Sequence, residues 1–270
     1  MRNNSIKDAD RASNECRLIN LFHCYADNIG DRMCGPAQYF WPDKFEPSSF
    51  NRPVISPLPT ILGGGQIFGQ IATTLRRIEK RGISPSQMFA WGVGLPRKGR
   101  NDTKVREVSN QFSRFSTRNY EWKDELEFVP CASCMSPLFD RPAAVEHEIV
   151  LYLHRKKLPD IEKVSGIPTM TNAQTDPKVA IDFISSGETV VTNSYHGVYW
   201  AQLLGRKVVC IPYNEKFQTF QHSPTYAQPD DWMRNLKLAK WTNSLLEEYR
   251  ALNSDFASGV NELLQPQSTS

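Results

Sequence analysis

The sequence predicts an α/β protein with two parallel sheets, each flanked by helices, in two domains that face one another across a cleft. Three observations predict it. Short apolar runs of strand length alternate with stretches of helical spacing along most of the 270 residues. Those runs are continuous rather than alternating apolar and polar, as in strands covered on both faces. Several of them empty into a glycine or polar turn that opens a helix.

Taken in order, residues 18–22 (LINLF) form the first run and pass into the polar turn 25–31. Residues 60–62 lead into Gly63, Gly64 and Gly65, and residues 70–81 then carry Ile71, Leu75 and Ile78 on one helix face. Residues 87–91 (QMFAW) read as a strand with Gly92 and Gly94 in its turn, and residues 112–117 as another before Arg118. A first domain over 16–140 ends in the connection 130–142, where Pro130, Pro137 and Pro142 interrupt any regular element. The second domain, 141–270, repeats the grammar. It has strands at 148–154, 188–192 and 207–211, a helix at 179–184 stopped by Ser186 and Gly187, a helix at 196–204 capped by Gly205, and closing helices at 245–252 and 260–264.

Composition narrows the function classes. Forty per cent of the residues are hydrophobic, enough for one large core or two ordinary ones. Thirty-two basic against 29 acidic residues, a formal +3, is too even for a nucleic-acid surface, so any bound anion is expected to be small. No apolar stretch reaches the ~18 to 20 residues of a membrane span and the start is polar, so a cytoplasmic protein without an integral membrane segment is expected. The six cysteines, Cys16, Cys24, Cys34, Cys131, Cys134 and Cys210, show no framework spacing and read as reduced thiols. Cys131-x-x-Cys134 has no second pair and no neighbouring histidine pair to complete four zinc ligands, so no metal site is expected.

In open α/β sheets ligands gather beyond the carboxyl ends of the strands, where helix starts aim backbone N–H groups outward. That rule selects the loop 25–31 with Asn28, Gly30 and Asp31, the loop of Gly63, Gly64, Gly65 and Gln66, the turn at Gly92 and Gly94, Arg118 and Asn119, and above all Thr192-Asn-Ser-Tyr-His-Gly197. In the last, Thr192, Asn193 and Ser194 supply hydroxyl and amide groups at the N-cap region, Tyr195 follows, and His196 and Gly197 open an apolar helix. His196 there suits hydrogen bonding to phosphate or proton transfer, and suits plain packing or capping equally well. The triple glycine permits close backbone approach to a ligand or a purely structural turn, and it matches neither GxGxxG nor a P-loop. Asp31 is a candidate base and an ordinary N-terminal helix residue at once.

In order, NIGD (28–31), ILGGG (61–65), RNY (118–120), VPCASCM (129–135), SYHG (194–197), WAQLLG (200–205) and VVCIPYNEK (208–216) resemble the polysaccharide pyruvyl transferases over residues 18–220. The resemblance implies two Rossmann-like domains facing a cleft, similar to the GT-B glycosyltransferase fold, with phosphoenolpyruvate as donor substrate and no cofactor. It places the family's essential histidine on His196, with Ser194 two positions before it. It implies donor contacts from Arg118, Lys216 and Arg206, because a carboxylate and a phosphate together need several cations. The expected reaction moves a pyruvyl group onto a sugar hydroxyl of a polysaccharide or its lipid-linked precursor, forming a ketal, with His196 as the acid or phosphate partner. A lipid-linked acceptor would place the enzyme peripherally at the inner membrane face. The alternatives are a GT-B-type glycosyltransferase using a nucleotide sugar, since a fold does not choose between donors, and a non-catalytic glycan-binding member of the same fold.

Overall fold

A computed structural model describes residues 18–161, 166–243 and 245–265. Cys16 and Arg17, where the first domain is expected to begin, and the tail 266–270 lie outside them.

The first half holds six strands: β1 (Leu18–Phe22), β2 (Phe45–Ser49), β3 (Thr60–Gly65), β4 (Met88–Val93), β5 (Arg114–Thr117) and β6 (Glu127–Phe128). All neighbours pair in parallel, in the order β2-β1-β3-β4-β5-β6. The second half holds β7 (His147–Leu153), β8 (Thr169–Thr171), β9 (Gly187–Thr192), β10 (Lys207–Cys210) and β11 (Thr225–Tyr226) in the order β11-β10-β9-β7-β8, also parallel. Strand order reverses between β1 and β3 in one sheet and between β7 and β9 in the other. These are two switch points of the kind that bind ligands.

The helices follow from their sequences. Two single-turn helices, α1 (Ile29–Arg32) and α2 (Ala37–Phe40), follow β1. Helix α3 (Phe68–Arg81) turns Phe68, Ile71 and Ile78 inward, carries Lys80 and Arg81 in its last turn and ends at Gly82, whose φ of 64° is the left-handed cap glycine accepts. Helix α4 (Asp102–Ser109) precedes β5. Asp176 caps α5 (Pro177–Ser186) by accepting from the Lys178 N–H, with Pro177 at the first helical position, where a missing N–H costs nothing. Helix α6 (Tyr195–Leu203) is apolar nearly all round, and all nine of its residues are buried. A short α7 (Trp232–Asn235) and the twenty-residue α8 (Leu245–Leu264) complete the chain.

Three expectations change. The glycine run is the buried end of β3 rather than a turn: a Cβ on Gly63 would lie 2.7 Å from the Trp91 carbonyl oxygen and one on Gly64 3.0 Å from that of Cys34, so glycine is required for close packing. The closing helices are one helix, and it returns to the first sheet: Phe256, Ala257 and Val260 pack with Leu18, Ile61, Phe89 and Trp91, and Trp91 Nε1 donates to Asn253 Oδ1 at 2.8 Å. The C-terminal segment therefore belongs to both halves. The connection 130–142 is largely core, with Cys131, Ala132, Ser133 and Cys134 buried. Tyr199 Oη donates to the Cys131 carbonyl at 2.7 Å and Trp200 Nε1 to Ser133 Oγ at 3.0 Å. Among the described residues no helix is long and apolar enough to cross a membrane.

Candidate active site

The residues directly after four strands converge. His23 follows β1, Gln66 follows β3, His154 follows β7 and Ser194 lies just beyond β9. With Asn28, Asp31, Arg118, Tyr195, His196 and Lys216 they line a chamber of about 120 Å³. An outer hollow of about 390 Å³ shares His23, Asn28, Asp31 and His154 with it and adds Tyr25, Asp27 and Lys156 at the rim. A larger hollow of about 750 Å³, lined by Leu75, Arg76, Glu79, Lys104 and Val108, lies on the α3–α4 side. Charge rather than size singles out the small chamber.

Arg118 is the central feature. It follows β5 and is 4% exposed, and its guanidinium carbon sits 3.8 Å from the centre of the Tyr195 ring, itself stacked on Phe220 at 4.5 Å. Its Nη1 is buried with no hydrogen-bond partner, and among the described residues no carboxylate lies within ion-pair distance. Burial opposes the charge, but Tyr195, Cys34, Cys131 and Asp31 nearby hold it, and an arginine stays protonated in any case. An unpaired buried cation costs several kcal/mol, roughly, unless an anion joins it.

Lys216 lines the same chamber, with Nζ 2.6 Å from Tyr213 Oη. Burial and then the charge of Arg118 push its pKa down to about 8. His154, the sequence-silent histidine at the β7 end, is lowered by burial and by Lys216. On the opposite wall, Asn28 Oδ1 accepts from the Gly30 N–H at 3.1 Å and its Nδ2 donates to Asp31 Oδ2 at 3.0 Å, which fixes the carboxylate at the chamber edge. Ser194 accepts from the Gly197 N–H at 3.4 Å and so caps α6.

His196 presents two different edges. Nε2 lies 3.2 Å from Cys34 Sγ and 3.7 Å from Cys131 Sγ. Nδ1 lies over Gly30, where a Cβ would come within 2.2 Å. Burial disfavours the Cys131 thiolate, yet hydrogen bonds with Cys34, His196 and Ser133 hold its pKa well below the usual thiol range, while Cys34, hydrogen-bonded to Cys131 and buried, is held well above it.

The structure thus brings together Asn28, Asp31, Arg118, Ser194, Tyr195, His196 and Lys216. It does not bring Arg206 there. That guanidinium donates to the Ser185 carbonyl at 2.9 Å and the Ala143 carbonyl at 3.2 Å, so it closes the end of α5. Gly63, Gly64 and Gly65 lie inside β3, and only the next residue, Gln66, reaches the chamber. Gly30 and Gly197 serve packing: a Cβ on Gly197 would meet Thr192 Oγ1 at 2.2 Å. Gln66 ends the glycine-run loop that the strand-end rule selects, whereas His23 and His154 escaped sequence reasoning because no motif marks them. The same rule, applied to the residue after each strand, would have found both.

No family model and no curated protein matches the chain. Among solved structures it is similar to an uncharacterized protein from Klebsiella pneumoniae, at 14% identity over 84% of this chain and 100% of that one, with a TM-score of 0.44. It is also similar to a putative UDP-N-acetylglucosamine 2-epimerase from Listeria monocytogenes, at 10% identity over 90% of each chain, with a TM-score of 0.42.

Proposed function

We propose that the chain is a pyruvyl transferase that binds phosphoenolpyruvate in the small chamber and forms a ketal on a sugar seated in the outer hollow, within two Rossmann-like domains arranged as in GT-B enzymes. The observation that carries the reading is Arg118, a buried guanidinium with an unpaired Nη1 lining a chamber beside a second cation, Lys216. Such a site favours a small ligand with two anionic groups. A volume of about 120 Å³ suits a phosphorylated three-carbon acid, and the adjoining hollow of about 390 Å³ leaves room for an acceptor sugar.

Arg118 engages the donor carboxylate or phosphate, and the α6 N-terminus with His196 holds the phosphate from the other side. Lys216, with its pKa near 8, is the acid that protonates the methylene carbon. This role goes to Lys216 in preference to His196 because Nε2 of His196 is turned to the two thiols. Protonation leaves an oxocarbenium-like carbon. One sugar hydroxyl adds to it and loses its proton, the carbon–oxygen bond to phosphate breaks, and a second hydroxyl adds to the same carbon and gives its proton to the departing phosphate, closing the ketal. Asp31, held by Asn28 at the boundary of the two hollows, is placed to take the hydroxyl proton. Tyr25, 80% exposed at the rim, offers an aromatic face to a sugar ring.

The test is incubation with labelled phosphoenolpyruvate and a panel of lipid-linked and aryl glycosides, read by mass. The expected result is a pyruvyl ketal with stoichiometric phosphate release. Transfer of a glycosyl group from a nucleotide sugar, with no use of phosphoenolpyruvate, would overturn it.

A further inference from the structure

Three side chains spread over 162 sequence positions meet behind the chamber. Cys34 follows α1 in the first half, Cys131 lies in the connection and His196 opens α6 in the second half. All three are buried, at 0%, 1% and 3% exposure. Their Sγ–Sγ distance is 3.4 Å and their two Sγ–Nε2 distances are 3.2 and 3.7 Å. Tetrahedral zinc with ordinary bond lengths holds two sulfurs about 3.8 Å apart and a sulfur and a nitrogen about 3.6 Å apart. The three ligand atoms therefore already stand within a few tenths of an ångström of the triangle an ion would impose.

We propose that Cys34, Cys131 and His196 form a Cys2His site for a soft divalent ion of the zinc class. The donor set suits such an ion and not magnesium or calcium, which take oxygen. Two thiolates and one divalent ion make a neutral unit, which is tolerable in a core that already holds the Arg118 charge. The ligands are held by outer contacts. Ser133 Oγ lies 3.3 Å from Cys131 Sγ, the Cys131 carbonyl accepts from Tyr199 Oη at 2.7 Å, and Ala37 N–H, three residues beyond Cys34, donates to Asn20 Oδ1 at 3.1 Å. Cys134 is not a member; its sulfur accepts from Asn253 Nδ2 at 3.3 Å. An ion on Nε2 leaves the imidazole proton on Nδ1, the edge over Gly30, and so fixes the tautomer of His196. It also ties both halves and the connection to one point. The site stands independently of the pyruvyl-transfer reading.

The experiment uses the full chain purified without chelator. Elemental mass spectrometry should find one zinc ion per chain, and cobalt added after chelator treatment should give a thiolate-to-cobalt charge-transfer band. Cys34→Ser and Cys131→Ser should each weaken metal binding by about tenfold or more, while Cys134→Ser and Cys210→Ser retain it. If the serine variants fail to fold, alkylation of the intact chain decides: zinc should slow modification of Cys34 and Cys131 and leave Cys24 unchanged. Metal-free protein with no cobalt band, or a Cys34–Cys131 disulfide found by mass in the native chain, would overturn the proposal. Loss of transferase activity is not part of the readout, so a failed site and a failed donor assignment are told apart.

Discussion

At the scale of single residues the site is defined by charge left without a partner. Arg118 is buried against Tyr195 with Nη1 unsatisfied, and among the described residues no carboxylate lies within ion-pair distance of it. Even a paired buried charge can be exchanged, together with its partner, for apolar side chains with stability unchanged or raised by ~1–4 kcal/mol, and an unpaired one has less attraction to lose. Arg118→Met is therefore expected to keep or raise the melting temperature of the ligand-free protein while abolishing the thermal shift produced by phosphoenolpyruvate. A melting temperature lowered by several degrees with the shift intact would mean that the guanidinium serves the core. Lys216 gives a second residue-scale prediction. Its folded pKa is lowered to about 8, so the acid form is present below that pH and lost above it. The rate constant kcat/KM should fall as pH rises through about 8. Lys216→Arg should lose ~10²-fold in turnover, the scale of a missing general acid, and should lose this alkaline fall as well. An unchanged alkaline limb in that variant assigns the titration elsewhere.

At the scale of elements, the sequence was most legible where strands are buried on both faces. Residues 18–22 and 207–211 read as strands from continuous apolar runs, and β1 and β10 form there because a run without alternation fits a sheet covered on both sides. Strand β2 was not legible: FEPSS carries a proline and no apolar pattern, which suits an edge strand with one free side. Long-range packing was equally hidden. Glycines 63–65 looked like a turn because nothing local says that Trp91 and Cys34 crowd them. Cys34 and His196 gave no ligand spacing because the fold, not the chain, makes them neighbours. Gly30 shows what such crowding implies. Gly30→Ala would place a Cβ 2.2 Å from His196 Nδ1 and push the imidazole away, so it should cost ~1–3 kcal/mol of stability and weaken donor binding as well. Gly69→Ala, on α3 with nothing within 4 Å, should do neither. Equal effects of the two substitutions in thermal melts and ligand titrations would contradict the packing role of Gly30.

At the scale of the whole molecule, the two halves are built as parallel sheets whose switch points contribute to one chamber, and α8 closes the chain back onto the first sheet. Truncation before Leu245 would strip Phe256, Ala257 and Val260 from that core and leave Trp91 Nε1 without Asn253. Losing several buried apolar side chains at ~2–5 kcal/mol each exceeds the usual stability of a domain, so the truncated chain should show no cooperative unfolding transition in calorimetry. A transition retained at the full-length temperature would place the helix outside the folding unit. The same architecture explains why the chamber draws on residues from His23 to Lys216 and why no single motif identifies it.

The central claim is that Arg118 anchors a small doubly anionic ligand in the chamber, and calorimetric titration of the intact chain with phosphoenolpyruvate tests it most directly. The account predicts saturable binding at one site, weaker binding of inorganic phosphate, and loss of both in Arg118→Met protein that still melts cooperatively. Unchanged binding in that variant, or a wild-type protein that ignores phosphoenolpyruvate and takes up a nucleotide sugar, would contradict it.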